Sequence, residues 1–133
     1  MELLTVIMIV GILASISVGS YRSYLLRTNR TEARTALLRL QVAQEKYFLQ
    51  NNTYTTELGP SGLRMATADG ASLITPSGYY KVTLAAGSTT QITSSYSATA
   101  TAQNGQVKDT ACPTLALNDQ GQKDPPDSSG CWK

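Results

Sequence analysis

The chain has 133 residues, enough for one domain, and it carries a net charge of +2 with no histidine. Without histidine it lacks the commonest general base and the commonest zinc ligand, and it has no glycine-rich phosphate-binding loop. The sequence therefore predicts no enzyme, no catalytic residue, no metal site and no cofactor. The charge is uneven: residues 22–46 hold six basic and two acidic side chains, whereas residues 47–133 hold five basic and six acidic ones.

An apolar run of 19 residues without a charge, Leu3 to Tyr21, opens the chain between Glu2 and Arg22. As a helix this run covers about 28 Å, close to the hydrocarbon thickness of a bilayer. It allows three interpretations: a cleaved signal peptide, a plain membrane anchor, or a segment that leaves the membrane and packs against copies of itself. A signal peptide needs a positive region before the apolar run, and here the residue before it is acidic. For an anchor, the basic residues that follow favour a cytoplasmic C-terminal side.

Small residues interrupt the apolar run at Gly11, Ala14, Ser15, Ser17 and Gly19. Small side chains let helix backbones approach closely, which favours packing of this segment against other copies. Gly11 and Gly19 each weaken a helix by about 1 kcal/mol relative to alanine, so the sequence between them is prone to loosen or unwind. On composition alone, a plain anchor with scattered small residues remains an equal alternative.

The pattern over residues 25–50 predicts an amphipathic helix, because mostly apolar or small residues recur at three- and four-residue spacing. The recurring positions are Ala33, Ala36, Leu37, Leu40, Ala43, Gln44 and Tyr47. If this helix continues the apolar run, it extends from Leu3 to Gln50 and is about 70 Å long. A domain of this size cannot cover such a helix, so lipid or other subunits must bury its first half. We therefore divide the chain into a hydrophobic segment, residues 1–24, and a globular head, residues 25–133. Asn51 and Asn52 are the expected helix terminators.

The remainder predicts an α+β head with a small antiparallel sheet. Residues 53–77 are rich in glycine, proline and threonine and predict a connecting loop, with one helical turn around 63–67. Residues 78–122 contain alternating patterns for three or four strands, with a turn at Asn118 to Gly121. This sheet is expected to lie on the C-terminal half of the helix.

Cys112 and Cys131 are the two cysteines of the chain, and both lie in its last quarter. A polar, Ser/Thr-rich region with one cysteine pair predicts an exported domain with one disulfide bond. That bond would close a loop over 112–131 and contribute roughly 3 kcal/mol in the chain-entropy model. The alternatives are two unpaired thiols or half of a metal site.

The segment ELLTVIMIVGILASISVGSYRSYLLRTNRTEARTALL resembles the N-terminal segment of type IV pilins, with a glutamate before an apolar run and a glycine nine residues later. The resemblance implies the pilin fold and an exported subunit that sits in the bacterial inner membrane before the pilus assembly machinery adds it to a filament of identical copies. It implies that Glu2 neutralises the N-terminal amine of a neighbouring subunit and that Gly11 and Gly19 lie in the subunit interface.

Two departures from the pilin pattern concern the start of the chain. The family usually has proline at the position of Gly19, so a break there would depend on glycine flexibility. Pilins also carry more residues before the glutamate than Met1. We therefore expect that about three residues and a leader precede the given sequence.

The head, in the order YFLQNNTYTTEL, GYYKVTLAA, YSATATAQNGQVKDTACPTLALNDQGQK and CW, resembles the PilE-like pilins, a group that includes the ComP-type DNA-uptake pilins. The expected function is a structural subunit of an extracellular type IV pilus, serving adhesion, motility or DNA uptake. The alternatives are a minor pilin that acts as a DNA-uptake receptor and a pseudopilin of type II secretion. The C-terminal cysteine pair argues against the pseudopilin. DNA binding would fall to basic residues of the head, which alternate with acidic ones and so suit phosphate poorly. The basic candidates are Arg64, Lys81, Lys108, Lys123 and Lys133, and the acidic residues among them are Asp69, Asp109, Asp124 and Asp127.

Overall fold

A single helix, α1, runs from Glu2 to Asn51 in the computed structural model, which describes residues 1–65 and 69–133. Its 50 residues make it about 75 Å long, and the prediction of one continuous helix is confirmed. The helix ends at Asn52, whose φ of 55° lies in the left-handed region. The Asn52 backbone N–H donates to the carbonyl oxygen of Phe48 at 2.8 Å. Asparagine tolerates this conformation, which is why it ends the helix.

The head covers one stripe of the C-terminal half of α1. Ala33, Leu37, Leu40 and Gln44 are buried, at the three- and four-residue spacing that the sequence predicts. Residues 1–25, in contrast, are all exposed. The head therefore covers α1 only beyond residue 25.

Five antiparallel strands form one sheet in the chain order β1-β2-β3-β4-β5. The prediction of three or four strands within 78–122 is confirmed by three strands there, and one further strand lies beyond each end of that range, which gives five in all. The two additional strands, β1 and β5, are the sheet edges, and at three and two residues they are too short to show an alternating pattern. The strands are β1 Ser72–Ile74, β2 Tyr80–Ala86, β3 Tyr96–Ala102, β4 Thr114–Asn118 and β5 Lys123–Asp124.

The inner face of the sheet supplies the rest of the core. In β3, the buried residues alternate with partly exposed ones, and Ala98 and Ala100 lie on the inner face. Alanines at these positions let the sheet lie close to the helix, while larger residues fill the core around them. The other buried strand residues are Ser72, Tyr80, Val82, Tyr96, Ala102, Leu115 and Leu117.

The connection from α1 to β1 starts with a polar clamp around the buried side chain of Gln44. The Gln44 amide donates to the carbonyl oxygen of Thr55 at 2.6 Å, and its oxygen accepts from the Thr55 backbone N–H at 3.2 Å. Both ends of the amide are satisfied, so its burial is not penalised. The predicted helical turn over 63–67 falls partly on residues 66–68, outside the described residues.

A second polar contact joins the other end of the head to α1. Arg30 and Asp109 form a bidentate ion pair, with Nε–Oδ2 at 2.6 Å and Nη2–Oδ1 at 2.7 Å. Their side chains are 12% and 3% exposed. The hydrogen bonds to Asp109 raise the pKa of Arg30, although burial acts in the opposite direction. Gln106 joins this cluster: its amide donates to Asp109, to the Tyr80 hydroxyl and to the carbonyl oxygen of Leu26.

We predict that Asp109→Ala destabilises the head by about 3 kcal/mol, because it leaves the Arg30 guanidinium buried without its partner. Urea unfolding followed by circular dichroism measures the loss. Asp127→Ala is the matched control, because Asp127 pairs with Lys123 at 3.1 Å on the exposed surface. Breaking that pair should cost less than about 1 kcal/mol. Equal losses in the two variants would contradict the prediction.

Candidate functional site

The N-terminal segment presents an apolar surface with no cover from the head. Its large hydrophobic side chains, from Leu3 to Val18, are 53–75% exposed, and none of its most apolar window is buried. By length and composition this part of α1 is able to cross a membrane. Burying this much apolar surface is strongly favourable, so it requires a lipid or protein environment outside the chain.

Two hydroxyl groups of this segment, those of Thr5 and Ser15, are satisfied within the helix. The Thr5 hydroxyl donates to the carbonyl oxygen of Glu2 at 2.7 Å, and the Ser15 hydroxyl donates to that of Ile12 at 2.7 Å. Hydroxyls bonded in this way need no water, which suits them to an apolar surrounding.

Gly11 and Gly19, the predicted interface glycines, lie on open helix surface. A Cβ atom added at either position would meet no atom within 4 Å. Within this chain nothing requires glycine there, although each costs about 1 kcal/mol of helix stability. The helix is continuous through both glycines, so the loosening expected between them is not seen in the single chain.

Glu2 lies in the first turn of α1 and is exposed. Neither ion pair within residues 1–65 and 69–133 involves its carboxylate. In the free chain it is therefore a lone negative charge at the end of an apolar surface. An ionised carboxylate buried in an apolar environment without a partner is costly.

The predicted cysteine pair forms a disulfide bond in the structure, with the Cα atoms of Cys112 and Cys131 5.8 Å apart. Both cysteines are 1% exposed. The bond ties the C-terminal tail to the turn before β4. Trp132 packs into the core behind it, with the Lys123 ammonium 5.5 Å from its ring centroid.

The structure separates the charges that alternate along the sequence of the head. Lys123 pairs with Asp127, and Asp109 is buried against Arg30. The carboxylate of Asp69 accepts hydrogen bonds from Ser72 and the Ala71 backbone, which lower its pKa. Among the described head residues, the remaining basic candidates lie apart. Arg64 lies in the α1–β1 loop, Lys81 in β2, Lys108 in the turn after β3, and Lys133 at the C-terminus.

Arg64 is brought together with Lys46, a residue that the sequence did not indicate as a site. Both line a groove of about 490 Å³ between the end of α1 and the loop. None of its described lining residues is acidic. Only the fold shows that the two side chains line one groove, because in the sequence Lys46 does not differ from the other charged residues of the helix. The lining is Ala43, Lys46, Tyr47, Gln50, Asn51 and Pro60–Arg64.

Backbone hydrogen bonds hold the loop side of this groove in one shape. Arg64 has a φ of 57°, in the left-handed region, and its N–H donates to the carbonyl oxygen of Gly59 at 2.9 Å. The Leu63 N–H donates to the carbonyl oxygen of Glu57 at 2.9 Å. A Cβ atom on Gly62 would lie 2.0 Å from that same Glu57 oxygen, so the turn requires glycine. The loop thus holds Arg64 in a fixed place beside the helix.

No curated protein sequence matches the chain. Among solved structures, a type IV pilin from Shewanella oneidensis is similar in fold, with a TM-score of 0.56 and 20% sequence identity, and the match covers 81% of this chain and 98% of that one. Among protein families, the one described as type IV minor pilin ComP, DNA uptake sequence receptor, matches residues 19–116, about three quarters of the chain. With the long helix, the antiparallel sheet and the disulfide bond in place, the chain belongs to this family of type IV pilins.

Proposed function

We propose that this pilin subunit spans the bacterial inner membrane through residues 1–24 and then polymerises through the same segment into an extracellular filament. The observation that carries the proposal is the bare apolar half of α1, whose side chains find no partner in the head. Lipid covers it first, and the helices of other copies cover it after assembly by the pilus machinery. The open surface at Gly11 and Gly19 supports close packing between those helices.

Glu2 is the residue through which we propose that neighbouring subunits recognise one another. A carboxylate in an apolar bundle costs several kcal/mol unless it is paired. The N-terminal amine of a neighbouring subunit has the required charge and belongs to the same end of the helix. Pairing of the two would fix the axial position of each new subunit, which apolar packing alone leaves free to slide.

We predict that Glu2→Ala and Glu2→Val insert into the membrane normally but form few or no filaments. The apolar run is unchanged in both variants, whereas the ion pair that sets the position of the subunit is lost. Electron microscopy of sheared filaments and fractionation of membranes measure the two steps separately. Glu45→Ala is the control, because Glu45 is an exposed carboxylate on the head part of the same helix. Normal filament yield from either Glu2 variant would rule out the proposed role.

We further propose that the head binds DNA at the groove formed by Lys46 and Arg64. The description of the matched family names a DNA uptake sequence receptor, and this supports the class of ligand. The groove supports the place, since its described lining combines two cations with the two side-chain amides of Gln50 and Asn51 and contains no acidic residue. It also lies at the end of α1 far from the membrane segment: Lys46 is 20 residues, about 30 Å, beyond Leu26.

We predict that Lys46→Gln combined with Arg64→Gln weakens DNA binding by the full chain in detergent micelles. Each lost phosphate contact should lower the slope of log affinity against log salt concentration by about one. Fluorescence anisotropy with a labelled duplex, repeated across salt concentrations, measures both effects. Lys123→Gln is the matched control, because Asp127 already neutralises that lysine. If the control weakens binding as much as the double variant does, the groove is not the binding site.

A further inference from the structure

A short 3-10 turn, Asn104–Lys108, lies against α1 just where the helix leaves the apolar run. The Gln106 amide donates to the carbonyl oxygen of Leu26 at 2.9 Å, and Asn29 donates to the Gln106 side-chain oxygen at 3.0 Å. Leu26 is five residues beyond Tyr21, the last residue of the uncharged run. The turn therefore lies about 7.5 Å along the helix from the end of that run.

The surface at this level combines exposed cations with exposed amphipathic and apolar side chains. We call it the proximal collar, and its members are Tyr21, Arg22, Tyr24, Arg27, Val107 and Lys108, all of them exposed. Val107 is 61% exposed and is the apolar member of the turn. There is no Asp or Glu from Tyr21 to Thr31, and the acidic neighbour of Lys108, Asp109, is buried against Arg30. The collar is therefore uniformly positive.

The height of the collar matches the headgroup layer of a bilayer. The layer on each side of the hydrocarbon core is roughly 5–8 Å thick, from a core of about 30 Å within a total of about 40–45 Å. When the uncharged run fills the core, Tyr21 and Tyr24 lie at the interface, where tyrosine is enriched. The turn then lies at the outer edge of the headgroups, within reach of the phosphates.

We propose that the proximal collar is a lipid-binding surface, through which the head rests on anionic phospholipid before the subunit enters a filament. The proposal rests on the membrane-spanning position of residues 1–24 given above. Val107 contacts the interfacial region, while Lys108, Arg22 and Arg27 bind lipid phosphates. Phospholipid fits better than DNA because two tyrosines and a valine share this surface with the cations, and duplex phosphates offer those side chains no apolar partner.

The test uses the full chain in vesicles of phosphatidylcholine and phosphatidylglycerol whose acyl chains carry bromine near the headgroup. Val107→Trp reports contact with lipid through quenching of its fluorescence. Val42→Trp is the matched control: Val42 is 70% exposed and lies on the same helix, sixteen residues or about 24 Å beyond Leu26. The native Trp132, 9% exposed, gives the same background in both variants.

We expect bromine to quench Val107→Trp roughly twofold or more above Val42→Trp, since only the collar reaches the interface. Adding Lys108→Gln should reduce this quenching in vesicles that contain phosphatidylglycerol and leave it unchanged in pure phosphatidylcholine. Both results together would support the collar as a surface for anionic lipid.

Three other outcomes would overturn the proposal. If the chain floats with the vesicles but the two tryptophans are quenched equally, the collar does not bind lipid. The membrane-spanning position of residues 1–24 is then unaffected. A Val107→Trp signal that follows the protein-to-lipid ratio instead of bromine assigns this surface to a second copy of the chain. If the unaltered chain does not float with the vesicles, the membrane-spanning position itself is contradicted. The lipid-binding role of the collar, which depends on that position, is then contradicted as well.

Discussion

The mismatch in length between α1 and the sheet is the constraint on which the rest of this molecule depends. The helix is about 75 Å long, whereas the longest strands have seven residues and extend about 23 Å. The sheet therefore covers only part of the helix, and the apolar half remains bare. An apolar surface of this size exposed to water favours aggregation, so it calls for cover by lipid or by other helices.

The contact between helix and sheet is apolar in the middle and polar at both ends. Leu37 and Leu40 fill its centre, and an alanine-lined sheet face lies close to them. Packing of this kind is non-directional and leaves the helix able to slide. The Arg30–Asp109 pair at one end and the Gln44–Thr55 hydrogen bonds at the other have defined geometry. They fix the head at one height on the helix, and one of the two contacts joins residues that are 79 positions apart in the sequence.

The sequence predicts those parts of the structure that depend on local pattern. The long helix follows from its three- and four-residue periodicity, and the inner strands follow from alternation. The bare segment follows from its uncharged length. Glu2 stands out because it directly precedes an apolar run, and Gly11 and Gly19 stand out because they interrupt that run. The cysteine pair stands out because the chain has no other cysteine.

The parts that the sequence does not predict depend on the chain returning on itself. The edge strands are stabilised by pairing with β2 and β4, and their own two or three residues carry no periodicity. Arg30 and Asp109 are 79 residues apart, and neither differs in the sequence from an ordinary surface charge. The groove of Lys46 and Arg64 exists only because Gly62 allows a tight turn back towards the helix. Tertiary closure, not composition, creates these sites.

The two edge strands are short, and this limits how the sheet can pair with the sheet of a neighbouring molecule. An open sheet edge is a template on which a strand of a neighbouring molecule can add. Here β1 offers three residues and β5 offers two before the chain turns away at Gly70 and Pro125. Strand addition across such edges would form few hydrogen bonds. The edges of this sheet are therefore poor sites for joining two heads into a continuous sheet.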